Sequence, residues 1–181
     1  AKWAARRRHA WKRAAREEGT SVRLTAFSDI ALRVLLLMGG LAPETMLSTQ
    51  RIADGVGAPY NHVAKTVARL RGMGLLCSQR GRSGGVMLTD EGREARVGQV
   101  LRVLEADTAI VECEADETAC PLNHGCRLRR ALAGAREAFY GELDTVSIAE
   151  LVNPRQVGPI AVQLGLRPPE QPDSGTPTSA I

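Results

Sequence analysis

The stretch STQRIADGVGAPYNHVAKTVARLRGMG, followed at once by LLCSQRGRSGGVMLT, leaves this chain few folds to choose from. Ile52, Ala53 and Val56 recur at helical spacing; Gly57 lies in the turn that follows; Val63, Val67 and Leu70 then resume the helical period. Two short apolar strands come next, on either side of Arg80-Gly81-Arg82-Ser83-Gly84-Gly85, which is hairpin chemistry. Upstream, Ile30, Val34, Leu37 and Met38 share one helical face, with Ser28 as a candidate cap and Gly39-Gly40 as the stop. Helix, helix, tight turn, helix and hairpin is the order of a winged helix-turn-helix, in which the second helix of the turn motif enters the major groove.

Charge agrees with a nucleic-acid reader. Residues 50–102 carry nine basic and four acidic side chains, whereas residues 103–181 carry six basic and twelve acidic. The basic middle is where a polyanion docks, although charge alone is equally well explained by a solvated face. The DNA-facing set expected here is Thr49 on the first helix of the pair, Tyr60, Asn61, His62, Lys65 and Arg69 on the second, and Arg80, Arg82, Ser83 and Gly84 on the wing. Asn61 has the chemistry to read adenine, Lys65 and Arg69 to grip phosphate, and the wing arginines to enter a narrow minor groove. Pro59 suits the first helical position, which has no intrahelical acceptor for its N–H.

Beyond the wing, Thr89 is expected to cap a helix carrying Val97, Val100, Leu101 and Leu104. The run CEADETACPLNHGC then places Cys113, Cys120 and Cys126 within fourteen residues. No run approaches a membrane span, and the basic N-terminus lacks the apolar core of a secretory signal, so a cytoplasmic setting is expected. In a reducing compartment, clustered cysteines point to metal or redox chemistry rather than to disulfides. Three thiols leave a fourth ligand open, with Cys77, His124, Glu114, Asp116 and any residue brought in by folding as candidates. Cys126 opens a long helix striped by Leu128, Leu132, Ala135, Phe139 and Leu143, a candidate dimer contact or an internal core face. Ser147-x-x-Glu150 is a capping box for a short helix.

VRLTAFSDIALRVLLLMG, YNHVAKTVARLRGMGLL, SQRGRSGGVMLT and CPLNHGCRLRRAL together resemble the family of cysteine-cluster winged-helix regulators that contains NsrR and IscR. The likeness runs in order from Val22 to Val152 and is nearest the nitric-oxide-sensing NsrR type. IscR-type members have a histidine three residues after the third cysteine; Arg129 stands there instead. The resemblance implies a 4Fe–4S cluster (a 2Fe–2S cluster being the alternative) on Cys113, Cys120 and Cys126. It implies a fourth, oxygen ligand from the other subunit of a homodimer, and that aspartate falls on Asp29. Taken without the resemblance, Asp29 is an ordinary carboxylate in the first turn of a helix. The first cysteine spacer has six residues where the family has five, an insertion a loop absorbs readily.

The expected fold is mainly α with a small β-hairpin. Its divisions are a basic extension over residues 1–21, disordered or foreign to the native chain, a winged helix-turn-helix over 22–105 and a cluster loop over 106–127. A dimerisation helix with a short last helix follows over 128–152, then a flexible tail over 153–181. The expected function is a DNA-binding repressor, not an enzyme, with operator DNA and a second copy of itself as partners and nitric oxide as signal. The alternatives are a related sensor of iron–sulfur or redox stress, a small iron–sulfur electron carrier, and a zinc-stabilised module.

Overall fold

The computed structural model describes residues 23–81, 84–111, 114, 116, 120–122 and 124–168. The extension over 1–21, Arg82, Ser83, Cys113 and the last stretch of the tail lie outside the described residues.

Helix α1, Ala26–Gly39, is the central element. Ala31, Val34 and Leu35 are fully buried, and Ile30, Leu37 and Met38 nearly so. At about 1.5–3 kcal/mol for each large aliphatic side chain removed from water, this face anchors the domain. The N-cap is Thr25 rather than Ser28: the Thr25 hydroxyl accepts from the Ser28 amide at 3.2 Å, and Ser28 is buried one turn in. Gly40 closes the helix as expected.

Helix α2, Thr49–Val56, is capped by Ser48 and ends at Gly57, whose φ of 64° is the left-handed conformation that glycine adopts without steric cost. Helix α3, Tyr60–Gly72, follows two residues later. Pro59 stands just outside it, and its carbonyl accepts from the amides of His62 and Val63. Val63, Val67 and Leu70 face the core, as their spacing predicts.

Strands β1, Leu76–Gln79, and β2, Gly85–Leu88, pair antiparallel with Leu76 opposite Leu88 and Gln79 opposite Gly85. Leu47 adds a one-residue bridge on the far side of β2, exchanging two backbone hydrogen bonds with Val86. Leu76, Val86 and Leu88 point inward, which roots the wing in the core.

Thr89 caps a helix, but the expected single helix is two: α4, Asp90–Glu94, and α5, Val97–Leu104. The break at Ala95–Arg96 has a tertiary cause. Arg96 pairs with Ser147, the Val97 amide donates to Val146, and the Ile148 amide donates to Ala95. The long helix α6, Arg127–Leu143, leads to α7, Ile148–Leu151, whose Ser147–Glu150 capping box forms as predicted.

The tail expected to be loose from Asn153 instead begins with helix α8, Pro154–Gln163. Asn153 caps it, Pro154 occupies its first turn, Val157 and Ala161 are buried, and Val157 packs on Gly40 at the end of α1. Its end is a complete Schellman stop: Gly165 adopts φ 67°, its amide donates to Val162, and the Leu166 amide donates to Ala161. Pro159 and Gly158 inside the segment, and the Pro/Ser/Thr-rich residues after it, hide these signals in the sequence.

Candidate nucleic-acid interface and metal centre

The face expected to meet DNA is solvent-exposed. Tyr60, Asn61, His62, Lys65 and Arg69 all project from the outer side of α3. That side is free because the inner side is fully used by Val63, Thr66, Val67 and Leu70. Thr66 is buried without penalty, its hydroxyl donating to the His62 carbonyl at 3.0 Å. Arg69 also donates to the Val103 carbonyl at 3.3 Å. Thr49 is half-buried at the head of α2, Arg80 and Gly81 are exposed at the wing tip, and Gly84 is half-buried beside them. A Cβ on Gly84 would stand 2.3 Å from the Gln79 carbonyl oxygen, so the hairpin closes only with glycine there.

Cys120 and Cys126 are half-buried free thiols, and Cys77 is an exposed one on β1. Cys126 is the residue from which α6 starts, and no side chain caps that helix. Its first-turn amides therefore favour an anion at this end. Gly125, with φ 69°, makes the turn into Cys126. Ala106–Ala109, Glu114, Cys126 and the arginines Arg129, Arg130 and Arg136 line an open recess of about 860 Å³. One thiol, Cys126, beside arginine side chains is chemistry that suits an anionic, thiolate-ligated iron centre of the kind the resemblance implies. Among the described residues, no three His, Cys, Asp or Glu side chains gather closely enough to hold a metal.

Asp29 lies in the first turn of α1, half-exposed, and pairs with Arg33 at 2.6 Å. His124 is exposed. On α6, Leu128 is 63% exposed and Phe139 37%, while Leu143 packs against the core and Tyr140 is the buried residue of the helix. Leu132, Ala135 and Phe139 also line an apolar hollow of about 380 Å³, together with Leu24 and Ile110.

Three polar residues that sequence reasoning passes over join the two halves. Glu105 is buried at the foot of the cysteine segment and accepts from the Thr25 hydroxyl at 2.8 Å and the Thr25 amide at 3.0 Å. Burial works against ionisation there, but hydrogen bonds from Ser28, Thr25 and Thr108 outweigh it and hold the carboxyl below its ordinary range. Arg102 bridges α5 to α6, donating to Glu137 at 3.0 Å and Asp144 at 2.9 Å, and its guanidinium stacks over the Tyr140 ring. Arg136 pairs with Glu114 at 3.1 Å, and that carboxylate also accepts from the Ile110 amide. A charged residue beside an apolar stripe was the only sequence signal for each.

The Rrf2 family model, described as an iron-dependent transcriptional regulator, matches residues 24–154. The chain is 44% identical over 148 residues to the HTH-type transcriptional repressor NsrR of Streptomyces coelicolor, covering 81% of this chain and 99% of that protein. Among solved structures the fold is similar to T. potens IscR, with TM-score 0.56 and 20% identity, covering 72% of this chain and 86% of that one. It is also similar to CymR, the global cysteine regulator of B. subtilis, with TM-score 0.55 and 23% identity, covering 72% and 96%. Such coverage, on a helical fold with one antiparallel hairpin, settles the class: the chain belongs to the Rrf2 family of transcriptional regulators and is not an enzyme.

Proposed function

We propose that the chain is a homodimeric repressor that holds operator DNA while a 4Fe–4S cluster is bound and releases it in response to nitric oxide, so that nitric-oxide detoxification genes are expressed. The observation that carries this reading is the 44% identity across 99% of the Streptomyces coelicolor repressor. Cys113, Cys120 and Cys126 would hold the cluster, with Asp29 of the second subunit as fourth ligand. A bound cluster supplies iron that a small diatomic gas reaches most readily where the ligand is a carboxylate rather than a thiolate. The chain's own residues do the rest. Arg130, beside Arg129 and the Glu114-paired Arg136, brings positive charge near the ligand set, and Asp29 is exposed enough to meet a second copy.

Thr49, Tyr60, Asn61, His62, Lys65, Arg69, Arg80, Arg82, Ser83 and Gly84 form the DNA-facing set. Two α3 helices would enter successive major grooves about one helical turn, roughly 34 Å, apart. The dimer contact runs along Leu128, Leu132, Ala135, Phe139 and Leu143, a reading supported by the exposure of Leu128 and Phe139.

Anaerobic purification followed by an absorbance spectrum and a DNA shift, before and after nitric oxide, tests the whole proposal. A brown protein whose shift is lost on gas addition is expected; a colourless zinc protein, or a shift indifferent to the gas, refutes it. Asp29→Ala should keep iron but weaken the cluster. Its placement is tested in a heterodimer of one Asp29→Ala subunit with one subunit lacking the three loop cysteines. A near-normal cluster there supports ligation across the dimer; a fragile one, with a normal cluster in a control heterodimer of wild type and the cysteine-less subunit, refutes it.

A further inference from the structure

We infer that α8 is a clamp on the reading head, seating α2 so that α3 meets DNA at its working angle. The inference rests on the DNA-reading role proposed above for α3. Four observations converge on one contact. Val157 and Ala161, on α8 itself, are buried. A Cβ on Gly55, in α2, would stand 2.7 Å from Leu37 of α1, 3.2 Å from Leu164 and 3.4 Å from Ile160, so α2 is gripped between α1 and α8. The Schellman stop at Gly165 satisfies Ala161 and Val162 and leaves the Leu164 carbonyl to be satisfied from outside the helix. Arg51, on α2, donates to that carbonyl.

The consequence is mechanical. Gly57 and the two residues after it are all that separate α2 from α3, so a tilt of α2 carries α3 with it. Base-edge contacts depend on that tilt, whereas phosphate contacts tolerate small changes in it. A loosened clamp therefore lowers discrimination more than overall affinity. All of α8 after Pro154 lies beyond the residues matched by the family model, which end at 154.

The test uses the full chain, purified anaerobically, and a duplex selected from a random pool by the wild-type protein. Arg51→Ala removes the donor; Gly165→Ala strains the stop that presents the carbonyl, at a site on α8 rather than on the reading helices. Both should lose about tenfold in the ratio of specific to non-specific affinity, the size of one lost base contact. Their salt slopes should stay at the wild-type value, and Arg51→Lys, which keeps one donor, should recover part of the loss. Circular dichroism at the assay temperature confirms that each variant is folded; if either alanine variant is not, Arg51→Lys against wild type carries the same comparison. An unchanged ratio in the folded variants overturns the clamp. So does a salt slope lowered by about one in Arg51→Ala with Gly165→Ala normal, because Arg51 would then be a phosphate contact. A wild-type chain that selects no duplex overturns the DNA reading and the clamp with it, whereas specific wild-type binding with unaffected variants overturns the clamp alone.

Discussion

The reading head and the cysteine segment are built on opposite terms. From Thr25 to Leu104, α1 and α2 have side-chain N-caps and glycine stops, α4 has a side-chain N-cap, and the wing is rooted by Leu76, Val86 and Leu88 in one continuous core. Between Ala106 and Cys126, by contrast, the described residues are exposed or half-buried, and none belongs to the buried core. Among the described residues, polar ties to that segment include Glu105 at its foot and Arg136 on Glu114. A fold that spends its apolar side chains on one half leaves the other half to be organised by something it binds.

The comparison breaks first at the thiols. Cys113→Ala, Cys120→Ala and Cys126→Ala should each abolish iron binding, and Cys77→Ala should not, as read by iron content and absorbance after anaerobic purification. Thermal midpoints of the iron-free variants should stay close to that of the iron-free parent, because Cys120 and Cys126 lie outside the core. Iron surviving in any one of the three would refute the ligand set.

The seam between the halves is tested next. Glu105→Gln should cost about 1.5–3 kcal/mol, the usual worth of hydrogen bonds to a charged group. The folded protein holds this carboxyl below its ordinary range, so its contribution is present above the unfolded value, about 4.3, and fades as pH falls through the lower folded value. Urea unfolding from pH 7 downward should show the parent and variant curves converging in acid; parallel curves would assign the loss to shape instead.

Gly98→Ala follows. A Cβ there would stand 2.0 Å from the Tyr140 carbonyl oxygen and 2.4 Å from the Asp144 carboxylate, so α5 and α6 must separate to admit it. A loss of about 1–3 kcal/mol is expected, as for overpacked cores. Hydrogen exchange should rise along α6 and leave α3 protected; equal loosening of both would mean that the two halves are one unit.

The smallest effect is expected from removing residues 1–21. Specific operator footprints and cluster content should be unchanged, while non-specific affinity falls, since seven basic and two acidic side chains go with the segment. A lost footprint would place the extension in the reading head.

Local rules were enough for α2, α3, the wing and the capping box, because each is specified by residues within a few positions of one another: Ile52 with Val56, Val63 with Val67 and Leu70, Ser147 with Glu150. The candidate site was legible as a set of residue types, three cysteines and a basic helix, because chemistry and spacing are written in the chain. Tertiary structure alone decided the rest. It split the helix after Thr89 by pairing Arg96 with Ser147, and it gave Glu105 a buried place eighty residues from its partner Thr25. It also turned an apparent tail into α8, through contacts of Val157 with Gly40 and of Leu164 with Arg51 and Gly55, more than a hundred residues earlier. The physical reason is common to all three. A backbone amide or a carboxylate takes whichever partner the packed core brings within about 3 Å, and no spacing along the chain encodes which one that is.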